Sequence, residues 1–212
     1  SVITMVSELE GEIVTLVPAT VGKVVPDATE EEEWGWVVEA TRECFAHAQK
    51  RGVRIAIEPL NRFETYLFNR CAQALALADA VGPECGVCLD AYHINMEESN
   101  VHDAIRLAGK RLYDFHVADN NRFAAGLGHI DWPRIVGTLR EIGYDGALTN
   151  EFVAPVDRTP AAIYPEMVER NPVDISPEQV KFIQDHGSSL LTEEFYDGQM
   201  RITSETLLPL IR

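Results

Sequence analysis

The chain alternates short apolar runs with longer amphipathic stretches, and this alternation restricts its fold more than any other feature. Apolar runs typical of β-strands lie at residues 12–17, 53–57, 86–89, 112–117 and 147–150. Stretches with helical spacing lie at residues 29–50, 70–81, 101–108 and 132–142. Short strands that alternate with helices build right-handed βαβ units around a parallel sheet. The sequence therefore predicts an α/β fold with parallel strands.

Four successive predicted strands end in a side chain that can bind a metal ion. These side chains are Glu58, Asp90, His116 and Glu151. In barrels of parallel strands, the carboxyl ends of the strands carry the chemistry. Three carboxylates and one imidazole suit a divalent ion that prefers oxygen with some nitrogen. Taken alone, each residue is explained more simply as a solvated or hydrogen-bonded side chain at the end of a strand. Four such residues in succession favour a metal-dependent enzyme.

Polar residues crowd the loops that are predicted to follow these strands. Glu64 belongs to the first such loop, EPLNRFE, and Arg122 belongs to the loop after His116. His93 comes just after Asp90, where we predict a polar loop that continues to the next helix. An arginine in such a loop can donate paired hydrogen bonds to sugar hydroxyls or to a carboxylate. The loops therefore favour a binding site for a polar ligand next to the predicted metal.

Acidic residues dominate the charge of the chain. It has 18 basic and 34 acidic residues, which give a formal net charge of −16. A surface with this charge repels nucleic acid and anionic membranes. No apolar run reaches the roughly 18–20 residues that a membrane-spanning helix needs. We therefore expect neither nucleic acid nor a membrane among its partners.

The four cysteines include one C-x-x-C pair, Cys85 and Cys88. Such a pair can bind zinc or carry out redox chemistry. Here the pair flanks a predicted strand, the sequence has no second C-x-x-C, and no predicted helix starts between the two residues. We expect these cysteines to be buried apolar residues of a reducing, cytoplasmic compartment.

The strand-end residues carry four motifs in a fixed order. They are E-x-x-N-R-x-E from Glu58, L-D-x-x-H from Leu89, H-x-x-x-x-N-R from His116 and E-F from Glu151. Their order and spacing resemble the sugar isomerase/epimerase superfamily of xylose-isomerase-like barrels, and within it the ketose 3-epimerases of the tagatose or psicose type. The resemblance covers roughly residues 11–152 and implies a (β/α)8 barrel of the TIM type.

The strand count falls short of such a barrel, because an eight-stranded barrel typically takes about 250 residues. We expect residues 1–152 to form its C-terminal portion, without about the first three βα units. A longer natural chain, a second chain that supplies the rest, or an open sheet would each explain the shortfall. Residues 153–212 are predicted to be a helical C-terminal extension packed on the barrel, with helices from Ser176 to about His186 and over residues 192–211.

The resemblance also implies a ligand and a role for each candidate residue. A divalent metal, usually manganese but with magnesium, cobalt or zinc as alternatives, would bind the four strand-end residues. Glu58 and Glu151 would face opposite sides of the substrate as the acid/base pair. His93 and Arg122 would bind substrate oxygens, and Glu64 would hold a hydroxyl or orient the metal ligands.

The resemblance thus implies a metal-dependent sugar epimerase or isomerase that removes the proton alpha to a ketose carbonyl through an enediolate. One alternative is a lyase or C-deglycosidase of the same superfamily, which acts on a 3-keto-glycoside and works with a small second subunit. Another is an incomplete barrel that binds metal without turnover. We discount an abasic-site endonuclease, because the net charge opposes binding to a phosphate backbone. Exposed sheet edges would favour association into a homo-oligomer or with a partner subunit.

Overall fold

Five parallel strands form one sheet in the order in which they follow along the chain. The computed structural model describes residues 1–22, 25–153, 176–178 and 193–211. The strands are β1 (Ile13–Leu16), β2 (Arg54–Ile57), β3 (Gly86–Asp90), β4 (Leu112–Val117) and β5 (Leu148–Asn150). Strands β1 and β4 are not neighbours in the sheet, yet their Cα atoms come within 8 Å of each other. The sheet therefore curls like a section of a barrel, and the prediction of a parallel α/β fold is confirmed.

Helices pack around this sheet. They are α1 (Val2–Glu8), α2 (Glu30–Gln49), α3 (Cys71–Val81), α4 (Ala91–Glu97), α5 (Val101–Ala108), α6 (Trp132–Glu141) and α7 (Glu193–Ile211). Helix α2 starts at a capping box, in which the side chains of Thr29 and Glu32 each bond the main-chain amide of the other residue. Its first turn holds four glutamates, which the positive end of the helix dipole stabilises.

The hydrophobic core lies between the sheet and these helices. Alternate strand residues point outward and are fully buried there: Ile55, Ile57, Val87, Leu89 and Phe115. Because successive strand residues face opposite sides of a sheet, the residues between them point to the inner, concave face. The inner face therefore carries the polar side chains, and the outer face carries the core.

Helix α4 occupies the stretch after Asp90 for which the sequence analysis expected a polar loop, so that prediction is wrong. The Asp90 side chain caps the helix by accepting the main-chain N–H of Tyr92 at 2.7 Å. Ile94 is buried on the inward side of the helix. At its end Glu97 is also buried, and Arg62 donates to its carboxylate at 2.9 and 3.0 Å. The cap and this ion pair stabilise a short helix whose polar sequence does not indicate a helix.

An irregularity in β4 decides which of its residues face inward. Leu112 lies opposite Val87 and Asp114 lies opposite Cys88, so Tyr113 is an extra residue between two paired positions. Such a bulge is rare in parallel sheets and reverses the facing of every residue after it. Without it, Asp114 would point toward the helices.

The bulge therefore places His116 on the inner face. Beyond the bulge, Phe115 lies opposite Leu89, and both are fully buried in the core. His116 lies opposite Asp90, and both face the concave side of the sheet. The pairing of these two candidate ligands depends on the extra residue in β4.

Helix α7 packs against the end of the sheet formed by β5 and α6. Gln199 accepts the main-chain N–H of Ala124 at 2.6 Å, and Leu207 joins the hydrophobic core. Arg140 of α6 donates to the main-chain oxygen of Leu210.

Residues 154–175, 179–192 and 212 of the predicted tail lie outside the described residues. The division into a barrel portion and a helical extension stays a prediction. Within the described ranges, no helix has the length and apolarity to cross a membrane.

Substituting Gly86 should test the packing that accompanies the bulge. A Cβ atom at Gly86 would lie 2.3–2.5 Å from atoms of the Tyr113 ring. We expect Gly86→Ala to lower the free energy of unfolding by about 1–3 kcal/mol, because the ring must shift. The matched control is Gly35→Ala in α2, where an added methyl meets open space and favours the helix. Urea unfolding of both variants measures the difference, and equal stability would contradict the expectation.

Candidate metal centre

The structure brings the four predicted strand-end residues together. Glu58, Asp90, His116 and Glu151 each offer one ligand atom, and these four atoms lie within 4.8 Å of one another. Glu58 is 4% exposed, Asp90 is 0% exposed and His116 is 6% exposed, whereas Glu151 is only partly buried. Each residue lies at or next to the carboxyl end of a different strand from β2 to β5. The convergence therefore follows from the parallel sheet.

The imidazole of His116 lies between two of the carboxylates. Its Nδ1 atom is 3.1 Å from Oε1 of Glu58 and 3.1 Å from Oε2 of Glu151. Both acids thus approach the same nitrogen, from β2 on one side and from β5 on the other. The assignment of these two glutamates to opposite faces of a substrate stays a prediction.

The donor atoms of this cluster fit a divalent cation. Oδ2 of Asp90 is buried and has no hydrogen-bond partner within the described part of the chain. Oε1 of Glu58 is buried too, and Nδ1 of His116, which lies 3.1 Å from it, makes its hydrogen bond with Glu151 instead. Buried carboxylate oxygens are costly unless a proton donor or a cation satisfies them. Three carboxylates and one imidazole provide the oxygen-rich set that hard divalent ions prefer.

Crowding of these acids changes their affinity for protons. Burial raises the pKa of Glu58, and burial together with the neighbouring Glu151 raises the pKa of Asp90 well above its usual value. Burial opposes ionisation of Glu151 too, but its contacts with His116, Asp90 and Arg122 together outweigh burial and lower this pKa to about 2. Burial lowers the pKa of His116, but the acids that contact it raise it more. The cluster therefore holds negative charge that either protons or a metal ion must balance.

Arg122 adds a fixed positive charge beside the cluster. Its Nη1 atom lies 3.6 Å from Glu64 and 3.7 Å from Asp90, and its Nη2 atom lies 3.5 Å from Glu151. The guanidinium also stacks on the ring of Tyr92, 4.5 Å from the ring centroid. One arginine thus approaches three carboxylates.

The backbone of Arg122 is held in an unusual conformation. Its φ of 66° lies in the left-handed region, which non-glycine residues rarely adopt. Its N–H bonds the main-chain oxygen of Asp119 at 2.8 Å, and its carbonyl accepts the N–H of Val153 at 2.9 Å. The side chain of Asp119 in turn accepts the indole N–H of Trp132 at 3.0 Å. The loop after β4 and the exit of β5 are therefore tied together around this arginine.

His93 is fully buried in α4 rather than on a loop, but it does lie beside the cluster as predicted. Its Nδ1 atom accepts the main-chain N–H of Asn61 at 3.0 Å. Its Nε2 atom lies 2.9 Å from Nη1 of Arg122, which can only donate, and 3.7 Å from Oδ2 of Asp90. The side chain of Asn61 also donates to Glu64 at 2.9 Å, which fixes the third predicted binding residue.

The sequence analysis missed three residues of the site: Tyr92, Cys88 and Asp114. Tyr92 lies under Arg122, whereas Cys88 and Asp114 lie below His116 on the inner face. Each of the last two comes two positions before a predicted ligand, which is the spacing of side chains on one face of a strand. This spacing in the sequence therefore indicates that Cys88 and Asp114 face the site. The sulfur of Cys88, with Glu58 and His116, forms a second group that could hold a metal. The cysteines are free, and Cys85 and Cys88 are buried, as predicted.

The family of the chain follows from its sequence match as well as from this geometry. The Xylose isomerase-like TIM barrel family matches residues 1–185, so the chain belongs to that family. The five strands are therefore a section of a barrel of this type, which confirms the predicted fold class.

Similar proteins are ketose and keto-sugar epimerases. The chain is 40% identical over 111 residues to D-psicose 3-epimerase of Enterocloster bolteae, a match that covers 52% of this chain and 37% of the relative. It is 30% identical over 105 residues to 3-dehydro-D-guloside 4-epimerase of Escherichia coli, covering 49% of this chain and 40% of the relative. The solved D-psicose 3-epimerase with D-tagatose from Clostridium cellulolyticum H10 superposes with a TM-score of 0.76 at 25% identity, covering 99% of this chain and 66% of that chain. The matched region thus spans less than half of the curated relatives' length.

Metal binding should stabilise the folded chain through these residues. We expect Mn²⁺ at about 100 times its Kd to raise the free energy of unfolding by about 2.7 kcal/mol. Asp90→Asn should abolish this gain, because it removes a charged ligand while an asparagine can still cap α4. Without metal, its stability should stay close to that of the wild type. Urea unfolding with and without Mn²⁺ measures both effects.

The matched control for this experiment is Asp103→Asn on the exposed surface of α5. This control should gain as much stability from Mn²⁺ as the wild type. If Asp90→Asn gained the same, the metal would bind elsewhere.

Proposed function

We propose that this chain carries the active site of a metal-dependent epimerase of ketoses or keto-sugars. The observation that carries the proposal is the convergence of four ligand atoms within 4.8 Å at the strand ends, next to Arg122 and His93. Two relatives that match about half of this chain, at 40% and 30% identity, are named as sugar epimerases. An epimerase belongs to the isomerases.

The metal would be held by Glu58, Asp90, His116 and Glu151, and manganese is the ion we favour, with magnesium, cobalt and zinc as alternatives. When bound, a divalent ion acts as a Lewis acid on a ketone and its neighbouring hydroxyl, which lowers the cost of removing the α proton. The oxygen-rich donor set and the buried carboxylate oxygens of Glu58 and Asp90 that lack a hydrogen bond support this assignment.

Glu58 and Glu151 are the proposed acid/base pair. They come from β2 and β5, which flank the two strands that carry Asp90 and His116. A planar enediolate placed between them would have one carboxylate on each side. One glutamate would remove the proton, and the other would return a proton to the opposite face, which inverts the carbon.

Arg122 and His93 are the proposed contacts to substrate oxygens. Nη1 of Arg122 lies within hydrogen-bond distance of Nε2 of His93, at 2.9 Å, so the two side chains lie next to each other beside the candidate metal centre. The other N–H groups of the guanidinium suit an acceptor oxygen placed there, such as a carbonyl or hydroxyl oxygen of a sugar. Glu64 lies 3.6 Å from Arg122 and could accept a hydroxyl hydrogen of the same molecule.

A keto-glycoside is the second candidate substrate. The similarity to 3-dehydro-D-guloside 4-epimerase favours it, because that relative's name describes an oxidised glycoside. With such a substrate, proton removal beside the ketone leads either to epimerisation or, in a lyase or C-deglycosidase, to loss of the aglycone. The same residues would begin both reactions.

Association with another chain is part of this proposal. Strands β1 and β5 each pair with only one other strand among the described residues. Free sheet edges favour pairing with further strands, so we expect a homo-oligomer or a partner subunit. The free cysteines support the proposed cytoplasmic location.

Deuterium exchange from solvent tests the proposed reaction. The metal-loaded chain would be incubated in D₂O with a panel of ketoses and 3-keto-glycosides, and deuterium uptake at the α carbon would be followed by NMR. We expect exchange with at least one substrate, and Glu151→Gln should slow it by about 10²–10⁴-fold. Glu43→Gln on the exposed surface of α2 is the matched control and should exchange like the wild type.

The products separate the candidates. An epimer with deuterium at the inverted carbon supports an epimerase, and a released aglycone supports a lyase. If the chain binds metal but exchanges with no substrate, the non-catalytic metal-binding barrel replaces this proposal.

A further inference from the structure

The inner face of the sheet has a second layer of side chains directly below the four candidate ligands. Each strand contributes the residue two positions before its ligand: Ala56, Cys88, Asp114 and Thr149. Interiors of (β/α)8 barrels are usually filled with bulky branched apolar residues. Here three of the four residues are polar or carry a thiol, although Cys88 is fully buried and Asp114 is 9% exposed. Packing of the barrel interior alone therefore does not explain the polar side chains of this layer.

Asp114 is fixed in this layer by several contacts. Its Oδ1 atom accepts the main-chain N–H of Phe115 at 2.8 Å. The hydroxyl of Thr149 lies 2.7 Å from Oδ1 and 2.9 Å from Oδ2 and donates its hydrogen to this carboxylate. Oδ2 lies 3.4 Å from Nε2 of His116. A carboxylate held from two sides thus presents one oxygen to the imidazole.

The two nitrogens of His116 therefore have different neighbours. Nδ1 points to Glu58 and Glu151 in the candidate metal centre, and Nε2 points down to Asp114. A histidine that binds a metal needs a lone pair on the ligating nitrogen, so its one hydrogen must be on the other. A carboxylate at that other nitrogen selects this tautomer and fixes the orientation of the ring.

We propose that Asp114 and Thr149 are positioning residues: Thr149 fixes the Asp114 carboxylate, which holds the hydrogen on Nε2 of His116 and so leaves Nδ1 free to bind the metal. This inference rests on the proposed metal site but not on the proposed reaction. Neither residue touches the substrate or the metal. Both act only through the tautomer and the orientation of His116.

Asp114→Asn is the most direct test. The main-chain N–H of Phe115 would keep the amide oxygen at the Oδ1 position. The amide NH₂ would then replace Oδ2 and donate to Nε2 of His116, which moves the ring hydrogen to Nδ1 and blocks the metal. We expect Mn²⁺ affinity, measured by calorimetric titration, to fall by about 10–100-fold. The thermal midpoint without metal reports whether the variant still folds.

Thr149 provides a matched pair of variants. Thr149→Val keeps the volume but removes the hydroxyl, whereas Thr149→Ser keeps the hydroxyl. Thr149→Val should weaken Mn²⁺ binding several-fold, and Thr149→Ser should bind like the wild type. Equal losses in both variants would point to packing instead of hydrogen bonding and would overturn the role of Thr149.

The tautomer itself can be read by NMR. Long-range ¹H–¹⁵N spectra of the Zn²⁺-loaded, histidine-labelled chain should show the hydrogen of His116 on Nε2. In Asp114→Asn that signal should be lost or should shift to the other nitrogen. Unchanged Mn²⁺ affinity, or an unchanged tautomer, in Asp114→Asn would overturn the proposal.

Metal affinity and tautomer are measured without substrate, so the two proposals fail separately. If the wild type exchanges no substrate protons while Asp114→Asn loses metal, the reaction is wrong and the positioning role stands. If exchange occurs and Asp114→Asn binds metal normally, only the positioning role is wrong.

Discussion

The candidate site depends on a single extra residue in β4. Leu112 and Phe115 both face the helix-covered core. Two residues three positions apart on a regular strand would instead point to opposite faces of the sheet. The bulge at Tyr113 resolves this conflict, and in doing so it turns His116 toward Asp90 and the inner face. Without the bulge, the three carboxylates would have no imidazole among them. Bulges often lie next to active sites because they re-aim a side chain in this way.

Balance of charge is the second constraint on this region. Three strand ends place Glu58, Asp90 and Glu151 close together, and such crowding of carboxylates opposes folding unless positive charge compensates it. Arg122 and His116 supply part of that charge, and the strained backbone of Arg122 fits its place between three acids. A divalent cation bound among these acids would relieve their repulsion, so the local instability is expected to favour metal binding at this candidate site.

The sequence predicted the parts of this arrangement that depend on period and order. The alternation of apolar strands with helices predicted the parallel sheet. The ligand-type residue near the end of each strand predicted which side chains would meet. It did not predict α4, because a short helix stabilised by the Asp90 cap and the Arg62–Glu97 pair lacks a long apolar stripe. It also did not predict the bulge, whose only signal is the odd spacing of Leu112 and Phe115. Asp114, by contrast, could have been found from the sequence, because it lies two positions before His116 and so on the same face of the strand.

Crystals of the chain soaked in Mn²⁺ give the most direct test of the metal centre, through anomalous diffraction at the manganese absorption edge. We expect one strong anomalous peak within bonding distance of Glu58, Asp90, His116 and Glu151, with Nδ1 as the ligating nitrogen of His116. No peak at this position, or a peak that only other residues ligate, would contradict it.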